Sequence, residues 1–504
     1  MNSALTQKID GQVRHALYSV ETTRRIEHAI QATLPTHTLM ARAGLAIAQL
    51  ALALAPHARR IWIACGAGNN GGDGLEAAMH LQRWGKQPVV TWLGNPEKAP
   101  PDAAASCQRA LAAGVVFAET PPDEFDLCID ALLGIGTHIR APEGHMAAWI
   151  DLMNVGRAPV LAVDLPTGLQ ADTGAVTSPS VHATHTLSLL TLKPGLFTAC
   201  GRDAAGTVWL NNLSGNAAFS ENITGVAATA WLAGVPKLTP RPHASHKGSF
   251  GDVAVVGGAH GMTGAALLAA SAALHAGAGR VFVGLLDDPS LSVDLNQPEL
   301  MFRAVAALGF KTLTVVCGCG GGDAIAAPLA RILSTASKLV LDADALNVIA
   351  RDSQLQTLLK ARSQRPVATV LTPHPLEAAR LLGNSAAQVQ SDRLAAAQQL
   401  AEQSGCTVVL KGSGSIITAP GLTPLINPTG NARLASAGTG DVLAGMVGAR
   451  LAEGLTAFDA ACRAVYQHGL LADRWPSSQA LVAGRLAVRG TNDATINKTT
   501  SNAS

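Results

Sequence analysis

The chain has 504 residues, a formal net charge of +2 at pH 7, and an apolar fraction of 48%. This length allows two large α/β domains, and the nearly neutral charge excludes a general attraction to nucleic acid or membranes. The eight cysteines are scattered, and only Cys317 and Cys319 lie close together, as is typical of free thiols in a reducing compartment. The first 25 residues contain no apolar core of a secretory signal. We therefore expect a cytoplasmic protein.

The first half of the chain alternates short apolar runs with Ala/Leu-rich runs. Strands are predicted at IWIA, PVVTWL, FDLCID, VLAVDL and HTLSLL. Helices are predicted at LMARAGLAIAQLALAL, DGLEAAMHLQRW and DAAASCQRALAAG. This alternation predicts a mostly parallel sheet that helices cover on both faces, which is a Rossmann-like three-layer α/β/α domain.

The periodicity weakens between Asn211 and Pro242 and then starts again. Strands of the second half are predicted at DVAVVGG, RVFVGLL, TLTVVCG, KLVLDAD, VATVLTP and TVVLKG, followed by a hairpin arm at SIITAP. Two helices follow, at DVLAGMVGARLAEG and AFDAACRAVYQHGLLADRW. We predict an α/β domain at residues 1–225, a second at 226–490, and a disordered polar tail at 491–504.

The stretch GAGNNGGDG follows the first strand and has the glycine spacing of a dinucleotide-binding fingerprint. That motif also needs an acidic residue at the end of the next strand, but here the strand ends in TWLGN and the next acidic residue after it is Glu97. A redox dinucleotide is therefore not favoured. Asn70 and Asp73, in a loop that opens the helix GLEAAMHLQRW, instead bring oxygen atoms beside helix N–H groups. Such a loop can hold a phosphate and a hard cation.

Further oxygen donors follow the neighbouring strands, namely Asp130 in CIDALLGIGT and both Asp164 and Thr167 in AVDLPTGL. The carboxyl ends of parallel strands meet in one crevice. We therefore predict a cation bound by Asn70, Asp130 and Thr167, with Asp164 as the acid or base. Each acid taken alone is equally well explained as a helix cap or a turn former.

In combination, GAGNNGGDG, DALLGIGTHIR and VDLPTG resemble the NAD(P)H-hydrate epimerase domain, and LMARAG resembles its preceding helix. The resemblance implies that the cation is K⁺ and that Asp164 handles the proton. Thr167 stands where the family often has Ser, and Ile135 replaces a usual Thr. The residues implied to bind the hydrated nucleotide are Asn69, Asn70, Gly71, Gly72, Asp73, Gly134, Ile135, Gly136, Thr137, His138, Ile139 and Arg140.

In the second half, SAGTGDVLAG places flexible glycines before a helix that begins near Asp441. Backbone N–H groups there can stabilise a transferring phosphoryl group, and Asp441 can take a proton from the attacking hydroxyl. The stretch LKGSGS offers Lys411 to nucleotide phosphates but lacks the spacing of a Walker A loop. His374 lies in a Pro-bracketed turn before a helix, where a structural role is the usual alternative.

These motifs, together with HKGSFGDVAVVGGAHGMTGAA, LDADALN and TPHPLEAARLL, resemble the ribokinase-like superfamily and more closely its NAD(P)H-hydrate dehydratase branch. Two departures are CGCGGG, where the family usually has a Gly-Pro-Gly-Leu-Gly-like loop, and Leu376, which replaces a Gly. The resemblance implies that Ala265, Gly320, His374 and Asp441 contact the hydrated nucleotide. It implies that ADP or ATP, with Mg²⁺, is held by Lys411, Gly412, Ser413, Gly414, Ser415 and Gly440.

The two resemblances together imply metabolite repair of hydrated NADH and NADPH (NADHX and NADPHX). One domain would interconvert the R and S epimers, and the other would dehydrate the S epimer with ADP as the preferred donor, releasing phosphate and AMP. We also expect a homo-oligomer that binds no nucleic acid and no membrane. A ribokinase-like vitamin or sugar kinase with a nucleotide-sensing first domain is an alternative, since it would use the same Asp441. A non-enzymatic partner-binding protein is another.

Overall fold

A computed structural model describes residues 6–135, 141–213, 226–237, 242–286 and 291–489. The chain divides into two compact units, Met1–Leu232 and Ala233–Ser504. The domain boundary predicted between residues 225 and 226 lies at the edge of a stretch outside the described residues, and it stays a prediction. The disordered tail at 491–504 also lies outside them.

Among its described residues, the first unit contains a sheet of eight strands in the order β1-β9-β8-β7-β6-β3-β4-β5. All neighbours in it are parallel except the antiparallel pair β1–β9. Strands β2 and β10 form an antiparallel pair outside this eight-stranded sheet. The strands are β1 (Gln7–Lys8), β2 (His15–Leu17), β3 (Arg60–Cys65), β4 (Gln87–Trp92), β5 (Val116–Phe117), β6 (Leu127–Ala131), β7 (Val160–Val163), β8 (His185–Leu189), β9 (Thr207–Asn211) and β10 (Ala230–Leu232).

Helices cover both faces of this sheet. Successive residues of β3 belong to two different apolar clusters: Ile61 and Ile63 pack in one, and Trp62 and Ala64 pack in the other. This is expected because alternate side chains of a strand point to opposite faces. The helices are α1 (Val20–Gln31), α2 (Thr38–Leu54), α3 (Asn69–Arg83), α4 (Pro101–Ala112), α5 (Gly144–Val155) and α6 (Gly201–Ala204).

The start of α3 differs from the prediction. The Asn-Asn-Gly-Gly-Asp stretch is the first turn of the helix, with Gly68 as its N-cap, and not a loop before it. Tight packing explains this, because it overrides the low helix propensity of glycine. A Cβ atom on Gly71 would lie 1.9 Å from the carbonyl oxygen of Gly66. Only glycine therefore lets this turn approach the end of β3.

The second unit contains a sheet in the order β13-β12-β11-β14-β15-β16-β17-β18-β19. Its neighbours are parallel from β13 to β17, and antiparallel pairs link β17, β18 and β19. The hairpin predicted at SIITAP is thereby confirmed. The strands are β11 (Asp252–Gly257), β12 (Arg280–Leu285), β13 (Met301–Phe302), β14 (Thr314–Cys317), β15 (Lys338–Leu341), β16 (Ala368–Leu371), β17 (Thr407–Leu410), β18 (Ile416–Thr418) and β19 (Leu425–Ile426).

The helices of the second unit include a long pair whose alanines and glycines allow close packing, α7 and α14. The backbone of Ala269 on α7 leaves no room for a side chain at Gly445 on α14, where a Cβ would lie 2.0 Å from the Ala269 oxygen. The helices are α7 (Thr263–His275), α8 (Ala326–Thr335), α9 (Ala343–Arg351), α10 (Ser353–Arg362), α11 (Pro375–Leu382), α12 (Ala386–Ser391), α13 (Arg393–Ser404), α14 (Thr439–Ala452), α15 (Ala457–Asp473) and α16 (Ala483–Val488).

Each sheet has a point where the strand order reverses. In the first unit β3 lies between β4 and β6, and in the second β11 lies between β12 and β14. Open α/β sheets bind ligands in the crevice outside the strand carboxyl ends at such a point. The predicted α/β fold class is confirmed, and its topology directs attention to the exits of β3 and β6 and to those of β11 and β14. Among the described residues, no helix is long and apolar enough to cross a membrane.

Candidate active sites

A cavity of about 450 Å³ lies at the reversal point of the first unit. Helix α1, the start of α3 and the residues after β6, β7 and β8 contribute to its walls. Gly71 and Gly72 are buried in α3 and do not line it. Gly136, Thr137, His138, Ile139 and Arg140 lie outside the described residues. The predicted residues that do line it are Asn69, Asn70, Asp73, Gly134, Ile135 and Asp164.

The second glycine of the fingerprint spacing opens onto this cavity. Gly68 lines it, and a Cβ atom there would meet no heavy atom within 4 Å. The N–H groups of the first turn of α3 are therefore accessible to an anionic ligand beside Gly68. The glycine spacing therefore creates a helix start whose N–H groups face the cavity, as an anion site requires, although it lacks the acidic ribose contact of a redox dinucleotide site.

Asp164 lies directly after β7 in a strained conformation. Its φ is +67°, a left-handed value that is rare outside glycine, and the residue is only 7% exposed. The Lys193 ammonium makes a short contact with its Oδ1 atom and also donates to the Leu189 carbonyl oxygen at 2.9 Å. A buried, ion-paired carboxylate in an unusual backbone conformation is typical of a functional site.

Lys193 was not found by sequence reasoning. It is fully buried and lines the same cavity. The sequence did contain a signal for it, namely a lysine in TLKPGL directly after the predicted strand HTLSLL. A lysine that is buried at the end of a strand needs an acidic partner, so this position could have been paired with a nearby acid.

Asp73 and Glu27 bring two further carboxyl groups to the cavity. Burial raises the pKa of Asp73 well above its ordinary value, and the charges of Asp164 and Glu27 raise it further. Burial also raises the pKa of Glu27, and Asp164 adds to this, whereas nearby cationic groups including Lys193 oppose it. Both carboxyl groups therefore hold a proton more readily than an exposed carboxyl group does.

The predicted cation ligands Asp130 and Thr167 lie together with no exposed surface. The Thr167 hydroxyl donates to Asp130 Oδ1 at 2.7 Å, and its backbone N–H donates to Oδ2 at 2.8 Å. Burial raises the pKa of Asp130 to about 6, although these hydrogen bonds oppose the rise. The Thr167 hydroxyl also accepts from the N–H of Leu133, whose neighbour Gly134 adjoins the side chain of Asn70.

These residues suit a hard cation by their donor chemistry. A carboxylate, a hydroxyl and an amide carbonyl all offer oxygen, and only one of them carries a full charge. The Asn70 Nδ2 atom is buried and has no hydrogen-bond partner among the described residues. No hydrogen bond from Nδ2 therefore fixes the orientation of the Asn70 amide group, and its carbonyl oxygen can turn toward a cation. The K⁺ site stays a prediction that these donors support.

The second unit gathers a thiol and two carboxyl groups beside the start of α14. Cys319, Asp342 and Asp441 each offer a ligand atom within 4.8 Å of the others, the one such cluster across the residues that the structure describes. Asp441 lies in the first turn of α14, after Gly438 with its φ of +86°. Burial raises the pKa of Asp441 to about 6, and the Asp342 charge contributes. A carboxyl group with such a pKa can exchange protons near neutral pH.

Lys411, directly after β17, contacts two acidic residues of this centre. Its ammonium lies 2.7 Å from Asp342 Oδ1 and 4.0 Å from Glu377 Oε2. Burial would lower the pKa of Lys411, but these two carboxylates hold it above its ordinary value. A Cβ atom on Gly440 would lie 3.3 Å from the Lys411 nitrogen. The predicted residues Lys411, Gly440 and Asp441 therefore do lie together.

The glycine-rich loop after β14 approaches the start of α7. Gly320 has a φ of +58°, and a Cβ atom on it would lie 2.8 Å from the Cβ of Ala265. The two residues expected to contact the hydrated nucleotide are thus neighbours. Burial, with the charges of Asp441 and Asp342, raises the pKa of the Cys319 thiol, so that the thiol is neutral.

His374 has a structural role as the N-cap of α11. Its Nδ1 atom accepts hydrogen bonds from the N–H groups of Leu376 and Glu377, at 3.1 and 3.3 Å. Its Nε2 atom lies 3.1 Å from Glu377 Oε1. The side chain is 45% exposed. His374 therefore positions Glu377 and still has an exposed face.

The turn after β17 follows Lys411. Ser415 donates to the carbonyl oxygen of Gly412 at 3.1 Å, and a Cβ on Gly412 would lie 2.9 Å from the Arg393 guanidinium. Gly412 and Ser413 are exposed, as a loop that receives phosphates requires. Sequence reasoning named Lys411, Gly412, Ser413, Gly414 and Ser415 but assigned no role to Asp342 or Glu377.

The fold and the two centres define an α/β enzyme with a separate site at each sheet reversal. Two protein-family models match the chain. The model described as YjeF-related protein N-terminus matches residues 36–195, and the model described as NAD(P)H-hydrate dehydratase matches residues 253–489.

Among curated proteins, the bifunctional NAD(P)H-hydrate repair enzyme Nnr of Escherichia coli is 36% identical over 502 residues, which is 95% of this chain and 92% of that protein. An ADP-dependent (S)-NAD(P)H-hydrate dehydratase of Neisseria meningitidis serogroup B is 44% identical over 254 residues, covering 49% of this chain and 84% of that protein. The chain belongs to the family of bifunctional NAD(P)H-hydrate repair enzymes.

A solved structure is also similar to part of the chain. The ADP/ATP-dependent NAD(P)H-hydrate dehydratase from Bacillus subtilis, co-crystallized with ATP/Mg²⁺, is 31% identical with a TM-score of 0.43. The match covers 50% of this chain and 91% of that one.

Proposed function

We propose that this chain repairs hydrated NADH and NADPH. The first unit interconverts the R and S epimers, and the second dehydrates the S epimer with ADP as the preferred donor. The observation that carries the proposal is the match to the repair family along 95% of the chain, with one family model on each unit. A homo-oligomer and a cytoplasmic location remain predictions.

In the second unit, Asp441 is the proposed base. Hydration leaves a hydroxyl on C6 of the reduced ring, and water is a poor leaving group from that carbon. Asp441 takes the hydroxyl proton as the oxygen attacks the terminal phosphoryl group of the nucleotide, which gives a phosphate ester. The ring nitrogen lone pair then expels phosphate and leaves a C6=N1 iminium ion. Loss of a proton from C5 to the departing phosphate forms the C5=C6 double bond of NAD(P)H, and AMP is the other product when ADP is the donor.

The surrounding residues support this chemistry. The N–H groups at the start of α14 and the Lys411 ammonium offer positive charge where the phosphoryl group is transferred. Mg²⁺ supplies charge neutralisation when it is bound with the nucleotide phosphates. Asp342 offers an oxygen ligand that suits Mg²⁺, whereas the thiol of Cys319 does not, and Asp441 is left to act as the base.

In the first unit, the cavity would hold the hydrated nicotinamide beside Asp164. Gly68 and the first turn of α3, including Asn69 and Asp73, would bind the phosphates or polar groups of the nucleotide. Asp130, Thr167 and Asn70 would hold K⁺, whose charge would orient the loop after β6. Lys193 keeps the Asp164 carboxylate in place for proton transfer.

A test follows the absorbance of reduced nicotinamide after chemically hydrated NADH, containing both epimers, is supplied with ADP or ATP. The full chain should recover the whole pool and release inorganic phosphate. Asp164→Ala should recover only the S fraction, and Asp441→Asn should recover none while it still interconverts the epimers. A stable phosphorylated product would instead identify a small-molecule kinase, and no recovery with either nucleotide would refute the repair activity.

A further inference from the structure

Glu27 is an acidic residue of the first-unit cavity that neither a motif nor a fold requirement explains. It lies on α1, lines the cavity and is half-buried. No described residue forms a hydrogen bond or an ion pair with its carboxyl group. This differs from Asp164, which is held by Lys193. A half-buried carboxyl group with no structural partner is a costly feature, so a role toward a ligand is expected.

Inversion at C6 of the hydrated ring needs two proton-transferring groups. The hydroxyl leaves from one face of the ring, and water must return to the other face. A single carboxyl group fixed on one side cannot serve both faces of a ring that stays bound. Asp164 reaches the cavity from the end of β7, whereas Glu27 reaches it from a different element, α1.

We propose that Glu27 is a second catalytic acid–base residue of the first unit, which serves the ring face opposite to the one that Asp164 serves. This inference rests on the epimerase activity proposed above. In one direction, protonated Glu27 gives its proton to the C6 hydroxyl, and the C6–O bond breaks as water leaves. The N1 lone pair forms a C6=N1 double bond, which makes the ring a planar iminium ion.

Water then attacks C6 from the other face and gives a proton to the Asp164 carboxylate. The electron pair of the C6=N1 bond returns to N1. One water leaves and one enters, so the only net transfer is a proton from Glu27 to Asp164. In the reverse direction the two carboxyl groups exchange roles.

The surroundings of Glu27 suit this exchange. Burial and the Asp164 charge raise its pKa above the ordinary glutamate value, while His28, Lys193 and Arg24 limit the rise. Its partly exposed position lets it exchange protons with water between turnovers.

Asp73 is the competing candidate, because it also lines the cavity and its carboxyl group makes no hydrogen bond or ion pair with any described residue. Burial raises the pKa of Asp73 well above its ordinary value. It lies near the start of α3, beside the N–H groups proposed to bind the phosphates, and is therefore placed toward the phosphates rather than the ring. Glu27 is thus the better partner for Asp164.

The test uses the full chain, separated R and S epimers, and water labelled with heavy oxygen. Glu27→Gln should lower the rate of inversion in both directions by about 100-fold or more, as is usual for loss of a general acid or base. One epimer should still exchange its C6 oxygen without inverting, since Asp164 still serves its own face. Glu21→Gln, an exposed acid on the same helix, is the matched control and should invert at the wild-type rate.

Glu27→Asp keeps a carboxyl group and should retain part of the inversion, which separates lost chemistry from a folding defect. Inversion by Glu27→Gln within about threefold of wild type would overturn the proposal, since general acid–base catalysis contributes far more than that. Loss of oxygen exchange from both epimers would also overturn it. If the wild-type chain itself does not invert the epimers, the epimerase activity fails, and not only the role of Glu27.

Discussion

Replacement of Lys411 by Met should strongly destabilise the second unit. The Asp342 side chain is 2% exposed, and its charge is balanced by the Lys411 ammonium at 2.7 Å. The Thr372 hydroxyl also donates to it, at 2.8 Å. Removing one partner of a buried ion pair costs about 3–5 kcal/mol, because the remaining charge is uncompensated. The Lys411 side chain is 18% exposed, so water can reach its position, and we expect a loss near the lower limit.

Hydrogen exchange of backbone amides measures this loss locally. A loss of about 3 kcal/mol accelerates exchange through unfolding by roughly 100-fold, since about 1.4 kcal/mol corresponds to a factor of ten. Peptides that cover Lys338–Leu341 report on the second unit, and peptides that cover Arg60–Cys65 serve as an internal reference. Lys360→Met, which replaces an exposed lysine of the same unit, is the matched control.

Asp342→Asn should partly rescue the Lys411→Met chain, because the double variant leaves no buried carboxylate unpaired. The double variant should therefore lose about 0.5–3 kcal/mol less than the sum of the two single losses, as is usual for residues in contact. If Lys411→Met exchanges no faster than Lys360→Met, or if the two losses add, the buried charge does not control the stability of this centre.

Three further predictions concern the sites themselves. The dehydration kcat/KM should fall tenfold per pH unit below about pH 6. Burial raises the pKa of Asp441 to about 6, and Asp441 must be deprotonated to act as a base. A pH profile that stays flat between about pH 5 and 8 would contradict this. Gly71→Ala should lower the free energy of unfolding of the first unit, measured in urea, by about 1–3 kcal/mol. Gly68→Ala, where a Cβ meets open space, should leave that free energy nearly unchanged and raise the epimerase KM. Equal stabilities of the two variants would show that close packing does not require glycine at position 71. Thr167→Ser should preserve the dependence of epimerisation on K⁺, measured against Na⁺ at constant ionic strength. Thr167→Val should abolish that dependence and lower the free energy of unfolding by about 1–3 kcal/mol, because the buried Asp130 loses its hydroxyl donor. A Val variant that still responds to K⁺ would exclude the hydroxyl as a ligand.

The parts of the fold that depend on local pattern were predictable. Alternating apolar runs identified the parallel strands, and glycines followed by an acid located the helix start near Asp441. Partnerships across the chain were not predictable, because no local pattern records them. Asp342 and Lys411 are 69 positions apart, and Asp164 and Lys193 are 29 apart. These pairs exist only because parallel strands end side by side.

The same limit explains the error at the start of α3. Two adjacent glycines have low helix propensity, and local reasoning therefore placed a loop there. The helix forms one turn earlier because Gly71 packs against the end of β3, a contact between elements. The contribution of α1 to the cavity was missed for a similar reason, since Glu27 belongs to an ordinary amphipathic helix in the sequence.

The thiol of Cys319 lies within the candidate active site of the second unit, fully buried beside two carboxyl groups. Peroxides and alkylating reagents react with the thiolate form of cysteine, and with thiols that they can reach. Burial and the neighbouring negative charges keep the pKa of this thiol high, so the reactive form is scarce and shielded. The enclosure that raises the pKa of Asp441 thereby also protects its sulfur neighbour from oxidants. A catalyst that restores damaged reduced cofactors should for this reason keep its activity under oxidising conditions that inactivate enzymes with an exposed active-site cysteine.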